Sequence, residues 1–74
     1  MSDASKLAAL QADVDVFAPA GLATPLAALP QWGSLTILLV ILHGETRYGV
    51  VLAGTQVRAC VTVADLLKLF PEQP

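Results

Sequence analysis

Apolar residues recur near the start of the chain at helical spacing. Leu7, Leu10, Val14 and Phe17 are separated by three, four and three positions and line one face. Ser2 is placed to cap this element, and Asp3 falls in its first turn, where a carboxylate complements the helix dipole. Pro19 and Gly21 are expected to end it. Across residues 18 to 33, Pro19, Pro25 and Pro30 forbid one regular helix, so a loop of sixteen residues follows. Loops of that length are usually functional or disordered. Leu22, Leu26, Leu29 and Trp32 argue for order, because a flexible linker does not carry four large apolar side chains.

Residues 34 to 52 read two ways. Leu35, Leu38, Leu39 and Leu42 fit one face of a helix, which would put Leu38 and Leu42 in the core and leave Thr36 and His43 exposed. Yet Ile37, Val40 and Ile41 fill the gaps, and a continuous apolar run with β-branched members also suits a buried strand. Tyr48-Gly49-Val50-Val51-Leu52 would then be its partner, with His43 to Arg47 as the hairpin loop. Gly44 costs a helix ~1 kcal/mol relative to Ala. Propensity alone slightly favours the hairpin.

The end of the chain is plainer. Thr62-Val63-Ala64-Asp65 has the form of a capping box, a hydroxyl followed three positions later by a carboxylate. Val63, Leu66, Leu67 and Phe70 make an apolar stripe that Pro71 closes. Thr55 to Cys60 has room for one short helical turn, with Val57 and Cys60 inward.

Composition narrows the functional classes. At 74 residues the chain reads as a single domain. Hydrophobic residues make up 55% and charged ones 14%, so the core is expected to be aliphatic, with Phe17, Trp32, Tyr48 and Phe70 as its few large pieces. With four basic residues and a net charge of −2, no basic stripe forms, which argues against nucleic-acid binding. One cysteine excludes an internal disulfide framework and fits a reducing compartment. Met1-Ser2-Asp3 does not open a secretory signal, and the apolar run Leu35 to Leu42 falls far short of the ~20 residues of a spanning helix. A soluble, cytoplasmic protein is expected.

Four segments, in order, point to a known family. Trp32-Gly33-Ser34-Leu35-Thr36 resembles the Trp-Asp-Ser-Leu-Thr string around the attachment serine of acyl carrier proteins. Tyr48-Gly49-Val50 looks like the Phe/Tyr-Gly-Val that closes their second helix. Thr62-Val63-Ala64-Asp65-Leu66-Leu67 is similar to the start of their last helix, 28 positions beyond Ser34 as that fold leads one to expect. Leu22-Ala23-Thr24-Pro25-Leu26 sits where the family runs its long ordered loop. Two departures stand out: Gly33 replaces the usual Asp, and Glu45 is the lone carboxylate of a second helix that is normally acidic.

The resemblance spans about residues 5–70 and implies an all-α bundle of three main helices plus one short helix, with a long loop between the first two; it favours the helix over residues 34 to 47. It also implies that Ser34 carries a covalent 4′-phosphopantetheine arm taken from coenzyme A. The arm's thiol would hold acyl or ketide intermediates as thioesters for fatty-acid- or polyketide-type biosynthesis. Partners would be a phosphopantetheinyl transferase and acyl-handling enzymes such as a ketosynthase, acyltransferase or acyl ligase, meeting a monomeric carrier that itself catalyses nothing. A hydroxyl at an exposed helix start suits that chemistry, because unpaired N–H groups and the dipole there hold a phosphodiester.

Ser34 also reads, more blandly, as a simple N-cap. Trp32 is expected to plug the loop onto the core. His43 has no ligand partners at metal-binding spacing and reads as an exposed helix residue. Cys60 reads as a small buried hydrophobe, Asp65 as a cap, and Asp13 with Asp15 as a solvated face. Two rivals stay open: a degenerate, unmodified carrier-like docking protein, which Gly33 favours, and a ββα interaction module in which 35–42 pairs with 48–52.

Overall fold

The structure, a computed structural model, describes residues 2–71. It is mostly helical, with four α-helices and no strand among the described residues. Helix α1 spans Asp3–Asp13, α2 Ser34–Tyr48, α3 Gly54–Arg58 and α4 Val63–Leu67. The all-α expectation holds and the hairpin is overturned: α2 runs straight through 35–42, and 49–53 has no strand to pair with.

Ser2 caps α1, its hydroxyl accepting from the Ser5 N–H at 3.2 Å. The helix stops at Asp13, well before Pro19. Val14 turns extended (φ −129°, ψ 102°), and Asp15–Phe17 forms a separate 3₁₀ turn. Asp13 sits at the negative end of the helix dipole, and Val14 is β-branched, so neither favours another turn. The apolar stripe survives this break: Leu10, Val14 and Phe17 are all buried.

The loop from 18 to 33 is ordered by its backbone. Gln11 Nε2 donates to the Phe17 and Ala20 carbonyls, both at 3.2 Å. Further on, the loop supplies what the start of α4 lacks. The N–H groups of Val63 and Ala64 donate to the carbonyls of Thr24 (3.0 Å) and Leu22 (2.9 Å), and Asp65 N–H donates to Thr62 Oγ1 (3.3 Å). The Asp65 carboxylate in turn accepts from the Val61 and Thr62 N–H groups at 3.2 Å. Those backbone bonds, led by the one from Thr62, hold its pKa below the ordinary value. The capping box is as expected.

Helix α2 differs from its sequence reading in the face it buries. Thr36, Ile37, Val40, His43 and Gly44 face the core, at helical spacing. Leu35, Leu38, Leu39 and Leu42 are on the outside, with Leu35 71% and Leu38 59% exposed. Thr36 and His43, expected in solvent, are each 3% exposed. The leucine face is the more hydrophobic one, so the periodicity points to the wrong side; fit to the neighbours decides instead. At Gly44 a Cβ would stand 3.2 Å from the Phe70 ring and 3.3 Å from Leu52, so glycine allows α2 to close onto the last turn of the chain. Gly49 ends the helix in the left-handed conformation (φ 69°), which glycine adopts without strain.

The core joins Leu10, Phe17, Leu26, Val40, Val57, Val63, Leu66, Leu67 and Phe70. Val57 of α3 is fully buried, as its spacing suggests, while Cys60 is half-buried. Burial, and then the Asp65 charge, push the Cys60 thiol up, away from the reactive thiolate. Lys6 crosses to the end of the chain, its Nζ donating to the Phe70 carbonyl at 3.0 Å.

Two neighbouring residues test the orientation of α2. Ile37→Ala should lower the unfolding free energy by about 2–5 kcal/mol, as buried aliphatic truncations do. Leu38→Ala should change it by less than about 0.5 kcal/mol. Urea titrations of both variants read the difference; a large loss at Leu38 would reverse the assignment of faces.

Candidate functional site

The start of α2 is built by an unusual turn. Gln31 adopts a left-handed backbone (φ 63°), a conformation that costs a non-glycine residue roughly 1–3 kcal/mol. Thr36, in the first turn of the helix, holds it there, its hydroxyl donating to the Gln31 carbonyl at 2.7 Å. This bond explains why Thr36 is buried. Trp32 follows half-buried, its ring edge-on to Phe17 with centroids 6.2 Å apart, so it does anchor the loop on the core.

Gly33 occupies the cap position and Ser34 is the first residue inside the helix. Ser34 is therefore not the N-cap. Gly33 has no side chain to spend on the helix, so the first N–H groups of α2 are left uncapped by any side chain. The Gly33 backbone is extended (φ 175°), open to any residue, and a Cβ there would meet nothing within 4 Å. Ser34 is exposed at this positive helix end. Arg58, in the last turn of α3, reaches across with Nη2 donating to Ser34 Oγ at 3.3 Å. The arrangement presents a free hydroxyl, uncapped backbone donors and a guanidinium at one point on the surface. Chemically, it suits a phosphate ester on that hydroxyl.

The remaining sequence candidates lie elsewhere. His43 is not an exposed helix residue: its Nδ1 meets Asp13 Oδ2 at 2.7 Å, and its ring packs edge-on to Tyr48 and Phe70. A carboxylate can only accept, so Nδ1 carries the proton. Nε2 then points into the core with no hydrogen-bond partner among the described residues. Asp13, read as merely solvated, is exposed but holds this imidazole. A shallow, open cleft of about 280 Å³ runs past the pair, lined by Asp13, Val14, Leu39, Leu42, His43 and Thr46. It begins more than one helical turn beyond Ser34. Among the described residues no group of three or more His, Cys, Asp or Glu side chains is placed to hold a metal ion. No helix there is long and apolar enough to cross a membrane.

Sequence reasoning missed Arg58, the Gln31 turn and the Asp13–His43 pair. Arg58 lies 24 positions from Ser34, and nothing local links them. The pair did leave a trace: Thr36, Val40, His43 and Gly44 share one helical stripe, the least hydrophobic one available.

No protein family, curated protein or solved structure is matched by this chain.

Two outcomes follow from this geometry. Asp13→Ala should cost about 1–3 kcal/mol by stranding a buried imidazole donor, whereas Asp13→Asn keeps an acceptor and should cost far less. Chemical denaturation of the two variants compares them directly. Gly33→Asp should raise stability by ~0.3–1 kcal/mol, because the backbone accepts it and a carboxylate complements the helix end; a lower thermal midpoint would contradict this.

Proposed function

We propose that the chain is an acyl carrier protein, with an all-α carrier bundle and a 4′-phosphopantetheine arm on Ser34. One observation carries the reading: Ser34 heads α2 with its hydroxyl exposed, while Gly33 takes the capping place that would otherwise consume it. The four motif segments add to it. They lie on the long loop, at the start and end of α2 and at the start of α4.

In the loading step, Ser34 Oγ attacks the phosphorus of the coenzyme A pyrophosphate nearest the pantetheine. The new O–P bond forms as the anhydride P–O bond breaks, adenosine bisphosphate leaves, and the serine proton passes to a base on the transferase. Once attached at Ser34, the arm would supply a thiol able to carry acyl groups as thioesters, with the chemistry coming from partner enzymes in a cytoplasmic setting. Those partners, a transferase and a ketosynthase, acyltransferase or ligase, would dock over Leu35, Leu38, Leu39 and Leu42. With one carboxylate on α2, Glu45, this docking depends on apolar contact far more than on charge.

A second reading, an unmodified carrier-like docking protein, is favoured by Gly33 alone. Intact mass decides between them. After incubation with coenzyme A and a broad-specificity transferase, the chain should gain one phosphopantetheine, and Ser34→Ala should gain none. An unchanged mass with several such transferases would transfer the case to the unmodified protein.

A further inference from the structure

We infer that Arg58 is the counter-ion of the phosphate group on Ser34, a positioning residue that holds the root of the arm against α3. This rests on the carrier reading of Ser34. The guanidinium lies 3.3 Å from the hydroxyl oxygen, yet a neutral, exposed hydroxyl uses only one of its five donors. Among the described residues no carboxylate pairs with it, and the Ser34 hydroxyl is the one hydrogen-bond partner of its side chain. Its charge also stands beside the positive end of α2, where a cation is disfavoured. The carbonyl end of α3 favours Arg58 from the other side, which keeps it in place. An arginine so held has unused donors and an unneutralised charge directed at one oxygen.

Esterification of that oxygen supplies what is missing. The free oxygens of a phosphodiester lie one bond beyond the phosphorus on Ser34, within the reach of a guanidinium already touching Oγ. Its planar fork makes paired, charge-assisted bonds to phosphate that a lysine cannot reproduce.

The experiment uses the full chain, synthesised with phosphoserine at Ser34, with and without Arg58→Gln, and in parallel the unmodified chain loaded by a transferase. Phosphorus NMR follows the second proton loss of the phosphoserine, which ordinarily falls near pH ~6. With Arg58 present it should occur roughly half a unit lower than in Arg58→Gln, because an adjacent cation favours the dianion. Arg58→Lys should fall between them, and high salt should narrow the gap. Loading by the transferase should also displace the Arg58 Nε–H resonance. Identical titrations with and without Arg58, while the transferase loads Ser34, overturn the inference and leave the carrier reading intact. A chain that no transferase loads, but whose phosphoserine titration still depends on Arg58, overturns the carrier reading and supports the phosphate pairing. The unmodified Arg58→Gln chain, checked for an unchanged thermal midpoint, separates charge pairing from loss of fold.

Discussion

The hydrogen bond between Asp13 and His43 fixes the rotation of α2 about its own axis, and most of the molecule's surface follows from it. An imidazole that is 3% exposed must place its Nδ1 proton on an acceptor, and the acceptor stands at the end of α1. Once His43 faces inward, the helical repeat carries Thr36, Val40 and Gly44 inward with it. Gly44 then permits the approach of Phe70, whose ring stacks on Tyr48 at 4.8 Å between centroids. The leucines are left outside by default. A helix whose most hydrophobic side faces water is hard to explain by burial alone; it becomes reasonable when the competing face carries groups with specific partners.

The parts legible in the sequence were those with a local physical cause. Thr62 and Asp65 satisfy each other within four residues, so their cap was readable, as was the cap at Ser2. Gly49 ends α2 for a local reason too, since glycine takes the left-handed turn without strain, whereas α4 stops at Leu67, short of Pro71. The face of α2 was illegible for the opposite reason. Its partners, Asp13, Gln31 and Phe70, come from three different segments, and hydrophobicity pointed the wrong way. The early stop of α1 belongs to the same class, since Leu10, Val14 and Phe17 keep their spacing whether or not the helix continues. At the candidate site, Ser34 was legible from its flanking residues, whereas Arg58 depends on how α3 packs.

The start of α2 shows how a strained element can be maintained. The left-handed Gln31 persists because the Thr36 hydroxyl pins its carbonyl and Trp32 anchors the chain against Phe17. Together these bring Gly33 to the cap position and leave the next residue's hydroxyl unengaged by the helix. Had the turn been one residue shorter, Ser34 would itself cap α2 and its oxygen would be committed to the backbone. The position of the serine thus depends on a clamp two residues away, and the clamp on a threonine that faces the core.

The loop from 18 to 33 has a role that its irregular backbone conceals. Helix α4 has only five residues, too few to persist by themselves in water, and its first donors are taken by the carbonyls of Leu22 and Thr24. Opening of the loop would therefore strip α4 of two of its first hydrogen bonds, although some forty residues separate them along the chain. Amide exchange at Val63 and Ala64 should follow opening of the loop rather than fraying of α4 alone. A protease cut near Thr24 would thus loosen a helix that begins some forty residues further along the chain.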